Sequence, residues 1–184
     1  MVRRIAIIAL FLIFSNNIHT CYAGSYPWQP GLQLTWSDFQ GAPDATSSFL
    51  ANTHYTINYR YVWDGEGTMK CTVNCLFDQD KSWKKAGNLS DALLRHEQLH
   101  FNVAELFARK MRQAFNSYVA FHKHTANTDN ELKAIYDRLW AECKSYNELY
   151  DKESDHSRNK AKQDEWDRKI TNDLRGLEQF AIKD

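Results

Sequence analysis

The sequence predicts an α+β fold, with a small N-terminal antiparallel β-sheet packed on a C-terminal bundle of about three helices. Three observations lead there. Apolar residues between positions 32 and 78 recur mostly at every second place, the period of a half-buried strand. From about residue 90 to 181 they recur at three and four, the period of a helix. The length of 184 residues suits one domain. The 23 Lys+Arg balance 23 Asp+Glu, so the basic excess expected of a nucleic-acid binder is missing. With 43% hydrophobic and 14% aromatic residues the chain is too apolar to remain disordered.

In chain order, Arg3 and Arg4 lead into an apolar run from Ile5 to Phe14. That run is about half the 20 residues a membrane-spanning helix needs. It reads as a signal peptide over residues 1–23, with Cys21-Tyr22-Ala23 before the cleavage point at Gly24. The expectation is a secreted or periplasmic protein with no stable membrane span after cleavage, residues 24–184 forming one domain. Trp36-Ser37-Asp38-Phe39-Gln40-Gly41-Ala42-Pro43 reads as a short element ending in a Gly/Pro turn. Thr53 to Trp63 alternates, with Tyr55, Ile57, Tyr59, Tyr61 and Trp63 on one side. Asp64-Gly65-Glu66-Gly67 is a turn, and Met69, Cys71, Val73, Cys75 and Phe77 alternate again, so residues 53–78 form a hairpin.

Ser90 is a good N-cap for a helix running to about Val119. A polar connection carrying His122 and His124 follows, and Thr128-Asp129-Asn130-Glu131 reads as a capping box. The next helix shows an apolar stripe from Leu132 to Tyr150, broken by the polar run 151–159. A last helix begins near Lys160 and packs through Trp166, Ile170, Leu174 and Leu177. Export permits disulfides. Cys71 and Cys75, four apart on a strand, lie about 13 Å from each other and cannot bond. A bridge from Cys143 to either one stays open, as do three free thiols.

The chemistry-bearing sequence is His96-Glu97-Gln98-Leu99-His100 on the first long helix. Four residues bring the two imidazoles one turn apart on the same face. They can share one tetrahedral Zn²⁺, with Glu97 beside them as general base. The competing reading is a pair of core histidines satisfied by hydrogen bonds. A catalytic zinc needs a third protein ligand and an open fourth position. Glu105 is the nearest acid, but its position halfway around the helix suits an ion pair with Arg109 on the solvent face. The next candidates lie in Tyr150-Asp151-Lys152-Glu153-Ser154-Asp155-His156. His156 is selected because imidazole is the commoner ligand, with Glu153 as the alternative. His54 has no evident partner.

The run Leu94-x-His96-Glu97-Gln98-x-His100-Phe101-x-x-Ala104-Glu105 resembles a bacterial family of predicted secreted zinc-dependent proteases, catalogued mainly as a domain of unknown function. So do Trp36-x-Asp38-Phe39-x-Gly41-x-Pro43, Ser82-Trp83, and Tyr150-Asp151-x-Glu153-Ser154-x-His156 followed by Gln163 and Trp166. The resemblance spans about residues 32–170 and implies a zincin-like peptidase fold. Three residues depart from the family pattern: Leu99 in place of Gly, Asn102 in place of Asp, and Ser157 in place of Gly.

The expected activity is that of a zinc metallopeptidase acting on a peptide or protein substrate, with Zn²⁺ held by His96, His100 and His156. Glu97 takes the proton of a zinc-activated water. Tyr150 is a candidate for holding the oxyanion, although its place on the apolar stripe suits packing better. The alternatives are an exported binding module with a structural or relic zinc site, and a zinc amidase acting on cell-wall peptides.

Overall fold

The structure is a computed structural model that describes residues 24–182. The signal peptide expected over residues 1–23 lies outside the described residues. An α+β fold is found: strands β1 (Ser25–Pro27), β2 (Ala51–Asn52), β3 (Tyr55–Trp63), β4 (Met69–Asp78) and β5 (Trp83–Lys84) precede three helices. These are α1 (Asp91–Phe121), α2 (Thr128–Ser154) and α3 (Lys160–Gly176). Single turns of 3-10 helix stand at Trp36–Asp38 and Glu178–Phe180. No helix among the described residues is long and apolar enough to cross a membrane.

β3 and β4 pair antiparallel with Tyr55 opposite Phe77, Ile57 opposite Cys75 and Tyr59 opposite Val73. Since side chains alternate across a strand, both apolar sets share one face, the expected hairpin. β1, which the alternation pattern did not mark, adds to the far side of β4, giving the order β1-β4-β3. Its Pro27 is tolerated because the strand is an edge. β2 and β5 form a separate two-stranded ladder. Gly41 is pinned against this region: a Cβ there would come within 2.8 Å of the Asp80 carbonyl oxygen. Only glycine fits that approach.

The sheet's apolar face packs on α1, with Phe77 against Phe101 and Tyr59 against Phe115 at centroid distances of 5.5 and 5.0 Å. α2 and α3 cover other flanks of α1. Consequently the middle of α1 has no solvent side, and Val103 through Arg109 are all buried. This corrects the expectation for Glu105 and Arg109. They do pair, at 3.0 Å, but inside the protein, where Arg112 joins Glu105 at 2.9 Å and Arg109 also donates to the Leu174 carbonyl at 2.6 Å.

Helix boundaries follow the capping chemistry with two differences. Ser90 Oγ accepts from the Leu93 N–H at 3.2 Å, as an N-cap should. At α2 the capping box over 128–131 does not form: Asn127 is the N-cap residue, and Thr128 Oγ1 accepts from the Thr125 N–H instead. α2 also continues to Ser154, past the polar break expected after Tyr150. Cys71, Cys75 and Cys143 are free. His54, without an evident partner in the sequence, contacts the Asp78 carboxylate at 2.8 Å.

Candidate metal centre

His96 and His100 project from α1 toward α2. The His96 ring stacks on Tyr150 at 4.6 Å, and His100 Nδ1 lies 2.7 Å from Asn147 Oδ1. Their Nε2 atoms are 3.2 Å apart. Asp151 brings Oδ1 to 3.1 Å from His96 Nε2 and 3.0 Å from His100 Nε2. Beyond the end of α2 the chain turns through Asp155, His156 and Ser157, all with positive φ (50°, 49° and 76°). That turn directs His156 Nδ1 to 3.5 Å from the same Asp151 oxygen. Three imidazoles therefore converge on one carboxylate oxygen. Ligand atoms of His96, Asp151 and His156 all lie within 4.8 Å of one another, a set able to hold a metal ion.

A cavity of about 700 Å³ opens onto this cluster. Ser48 to Thr53 form one wall, while His96, Glu97 and His100 reach it from α1. Glu97 is buried, and its Oε2 accepts a hydrogen bond from Thr53 Oγ1 at 2.8 Å. Phe49 lies at the rim with its ring 4.7 Å from that of His156.

Charge in the cluster is coupled. Burial works against a charged His100, but the hydrogen bond and charge of Asp151, helped by Glu97 and Asn147, raise it to about 9. Burial likewise opposes ionisation of Asp151, yet hydrogen bonds and positive charge from His100 and His96 hold its carboxyl well below the usual range. Burial pushes the Tyr150 phenol up, so it stays protonated near neutral pH.

The sequence-derived candidates separate into two groups. His96, Glu97, His100 and His156 meet at the cavity. Tyr150 lies behind the rings: its hydroxyl donates to Gln163 Oε1 at 2.8 Å and lies 3.3 Å from the His96 carbonyl oxygen. Glu153 turns to α3, where it accepts from Trp166 Nε1 at 2.9 Å. Asn102 stands away from the rings, accepting from Trp28 Nε1 at 2.9 Å and Gln98 Nε2 at 3.1 Å. It ties the N-terminal segment to α1.

Sequence reasoning does not select Asp151, Asn147, Gln163 or Thr53. The helical spacing of Cys143, Asn147, Tyr150, Asp151 and Ser154 contains the signal for two of them. It sets polar side chains on the buried stripe of α2. Thr53 carries no local signal, because its partner lies 44 residues away, and Gln163, although part of the family-like pattern, gains its role only from a ring 67 residues away.

Comparison with curated proteins and with solved structures gives no match. A family match does cover residues 33–157, from the segment before the first 3-10 turn through the positive-φ turn that carries His156. Because that span takes in most of the chain, the protein belongs to a family of bacterial proteins of unknown function (DUF922).

Proposed function

We propose that the protein is an exported zinc-dependent hydrolase of the metallopeptidase type. The observation that carries this reading is the convergence of His96 Nε2, His100 Nε2 and His156 Nδ1 on Asp151 Oδ1. Imidazole nitrogens with one carboxylate oxygen are the donor chemistry zinc takes from proteins. His96 and His100 would hold the ion, joined by Asp151 and His156. The chemistry a zinc ion supplies in such a cradle is Lewis acidity, toward a water whose proton becomes removable near neutral pH and toward a substrate carbonyl.

The protein's own groups support that chemistry. The hydrogen bond from Thr53 fixes one oxygen of Glu97 beside the cavity. The other oxygen can take a proton from water and return it to the leaving amine. The cavity wall at 48–53 gives room for a peptide next to the cluster.

One observation favours a second reading. Asp151 adds a fourth protein donor, and four protein ligands close a zinc site, making it structural. The test measures zinc content and hydrolysis of a peptide library on the same proteins. The hydrolase reading expects Glu97→Gln to keep zinc and lose cleavage by at least about 100-fold. It also expects one of His156→Ala and Asp151→Asn to retain zinc, identifying the donor that is dispensable. Loss of zinc in both variants, with no chelator-sensitive cleavage by the wild type, favours the structural reading. A wild-type protein that binds no zinc overturns both.

A further inference from the structure

We propose that Asn147 and Gln163 are positioning residues that set the tautomers of His100 and His96, so that both rings present bare Nε2 atoms to the same point. The inference rests on the metal reading above and concerns which ring nitrogen does the binding.

The orientation of each amide is decided on its far side. Gln163 Nε2 lies 2.9 Å from Asp167 Oδ1, an acceptor that demands the NH₂ group. Its Oε1 therefore faces inward, taking the Tyr150 hydroxyl at 2.8 Å and lying 3.2 Å from His96 Nδ1. Reversing the amide would set its oxygen against a carboxylate and its NH₂ against the Tyr150 donor. Asp167 is itself held in an ion pair with Arg95. Asn147 is fixed in the same manner: its Nδ2 lies 3.0 Å from the Cys143 carbonyl oxygen and 3.0 Å from the Tyr55 hydroxyl. Its Oδ1 then faces His100 Nδ1 at 2.7 Å.

An amide oxygen can only accept, so each Nδ1 carries a hydrogen. In a neutral imidazole the lone pair then belongs to Nε2. The two lone pairs meet at 3.2 Å, with Asp151 Oδ1 at 3.0 and 3.1 Å from them. With both rings neutral, these three acceptors have no hydrogen among them and repel one another unless a cation lies between. In the metal-free protein near neutral pH a proton on His100 Nε2, shared with Asp151, takes that place. The amides thus shape the site for a cation before one arrives, and they act on the rings from the side away from it. Tyr150 contributes through Gln163, since its hydrogen bond occupies the second lone pair of that amide oxygen.

The experiment uses the purified protein with ¹⁵N-labelled histidine, Zn²⁺ titrations, and four variants. Asn147→Leu and Gln163→Leu remove the acceptor; Asn147→Asp and Gln163→Glu keep an oxygen in its place. The leucine variants should bind Zn²⁺ about 10- to 100-fold more weakly. The acidic variants, whose second oxygen meets Asp167 or the Cys143 carbonyl where the NH₂ stood, should lose less than their leucine counterparts. Circular dichroism verifies that each variant is folded. The spectra of zinc-loaded wild type should show Nδ1–H and metal-bound Nε2 on both His96 and His100. Coordination through Nδ1 of either ring, or a folded leucine variant that binds Zn²⁺ like wild type, overturns the proposal. If wild type takes up no zinc, the metal reading fails alone. The metal-free spectra at the alkaline end of the titration then decide: Nδ1–H on both rings supports the tautomer assignment, and Nε2–H on either one overturns it.

Discussion

Ser157 stands at φ 76°, the last of three consecutive non-glycine residues in the left-handed region. Each such residue costs roughly 1–2 kcal/mol relative to ordinary backbone. Glycine escapes that cost, although it gives back part of the gain through a freer unfolded chain. Ser157→Gly should therefore stabilise the protein by about 0.5–1 kcal/mol, read as a rise of roughly 1–4 °C in Tm. The glycine that the family resemblance leads one to expect at this position has its physical reason in that φ. His96 and His100 were legible in the sequence because a spacing of four needs only the helix to be there. The selection of His156 rested on residue type, and what aims its ring is a backbone conformation that no side-chain pattern announces. Asp151 escaped because the polar residues after Tyr150 resembled the end of a helix, whereas α2 continues to Ser154.

Among the elements, β1 and the start of β3 are joined to the end of β4 by a single carboxylate. Asp78 accepts from Ser25 at 2.7 Å and from Thr56 at 2.6 Å, with His54 at 2.8 Å. Burial pushes its carboxyl up, but the hydrogen bonds from Thr56, Ser25 and His54 outweigh it and leave the group below its ordinary 3.8. A carboxyl depressed in the folded state stabilises fully above its unfolded value and loses that contribution as the pH falls through the folded one. Asp78→Asn should cost about 1–3 kcal/mol at pH 7. Denaturant titrations should show the gap to wild type closing as the pH drops below about 4. The hairpin was readable because alternation and a Gly-rich turn mark it locally. β1 was not: three residues ending in proline hold no period, and the strand exists only because β4 offers an edge.

For the whole molecule, α1 is the axis on which the sheet, α2 and α3 assemble, and Glu105 and Arg109 are enclosed with it. Glu105 is buried with hydrogen bonds from Arg109 and Arg112. Through those arginines it is linked to the Leu174 and Phe180 carbonyl oxygens of the C-terminal segment. Glu105→Ala should lower unfolding stability by about 3–5 kcal/mol in equilibrium denaturation, because it removes the buried counter-charge of Arg109 and leaves that guanidinium only the exposed Glu178. The helical pattern suggested a solvent face here, since an i, i+4 ion pair looks the same in sequence whether water or protein surrounds it. Seven successive buried residues, Val103 to Arg109, have a consequence for motion. A segment enclosed around its whole circumference has no local route by which water can reach its backbone, so its amide protons should exchange with deuterium only when the entire chain unfolds. The positive-φ turn at 155–157 should exchange orders of magnitude sooner. His96 and His100 stand on the same helix about two turns and one turn before that slow segment, whereas His156 rides on the fast turn, leaving one side of the cluster able to open while the other keeps its shape.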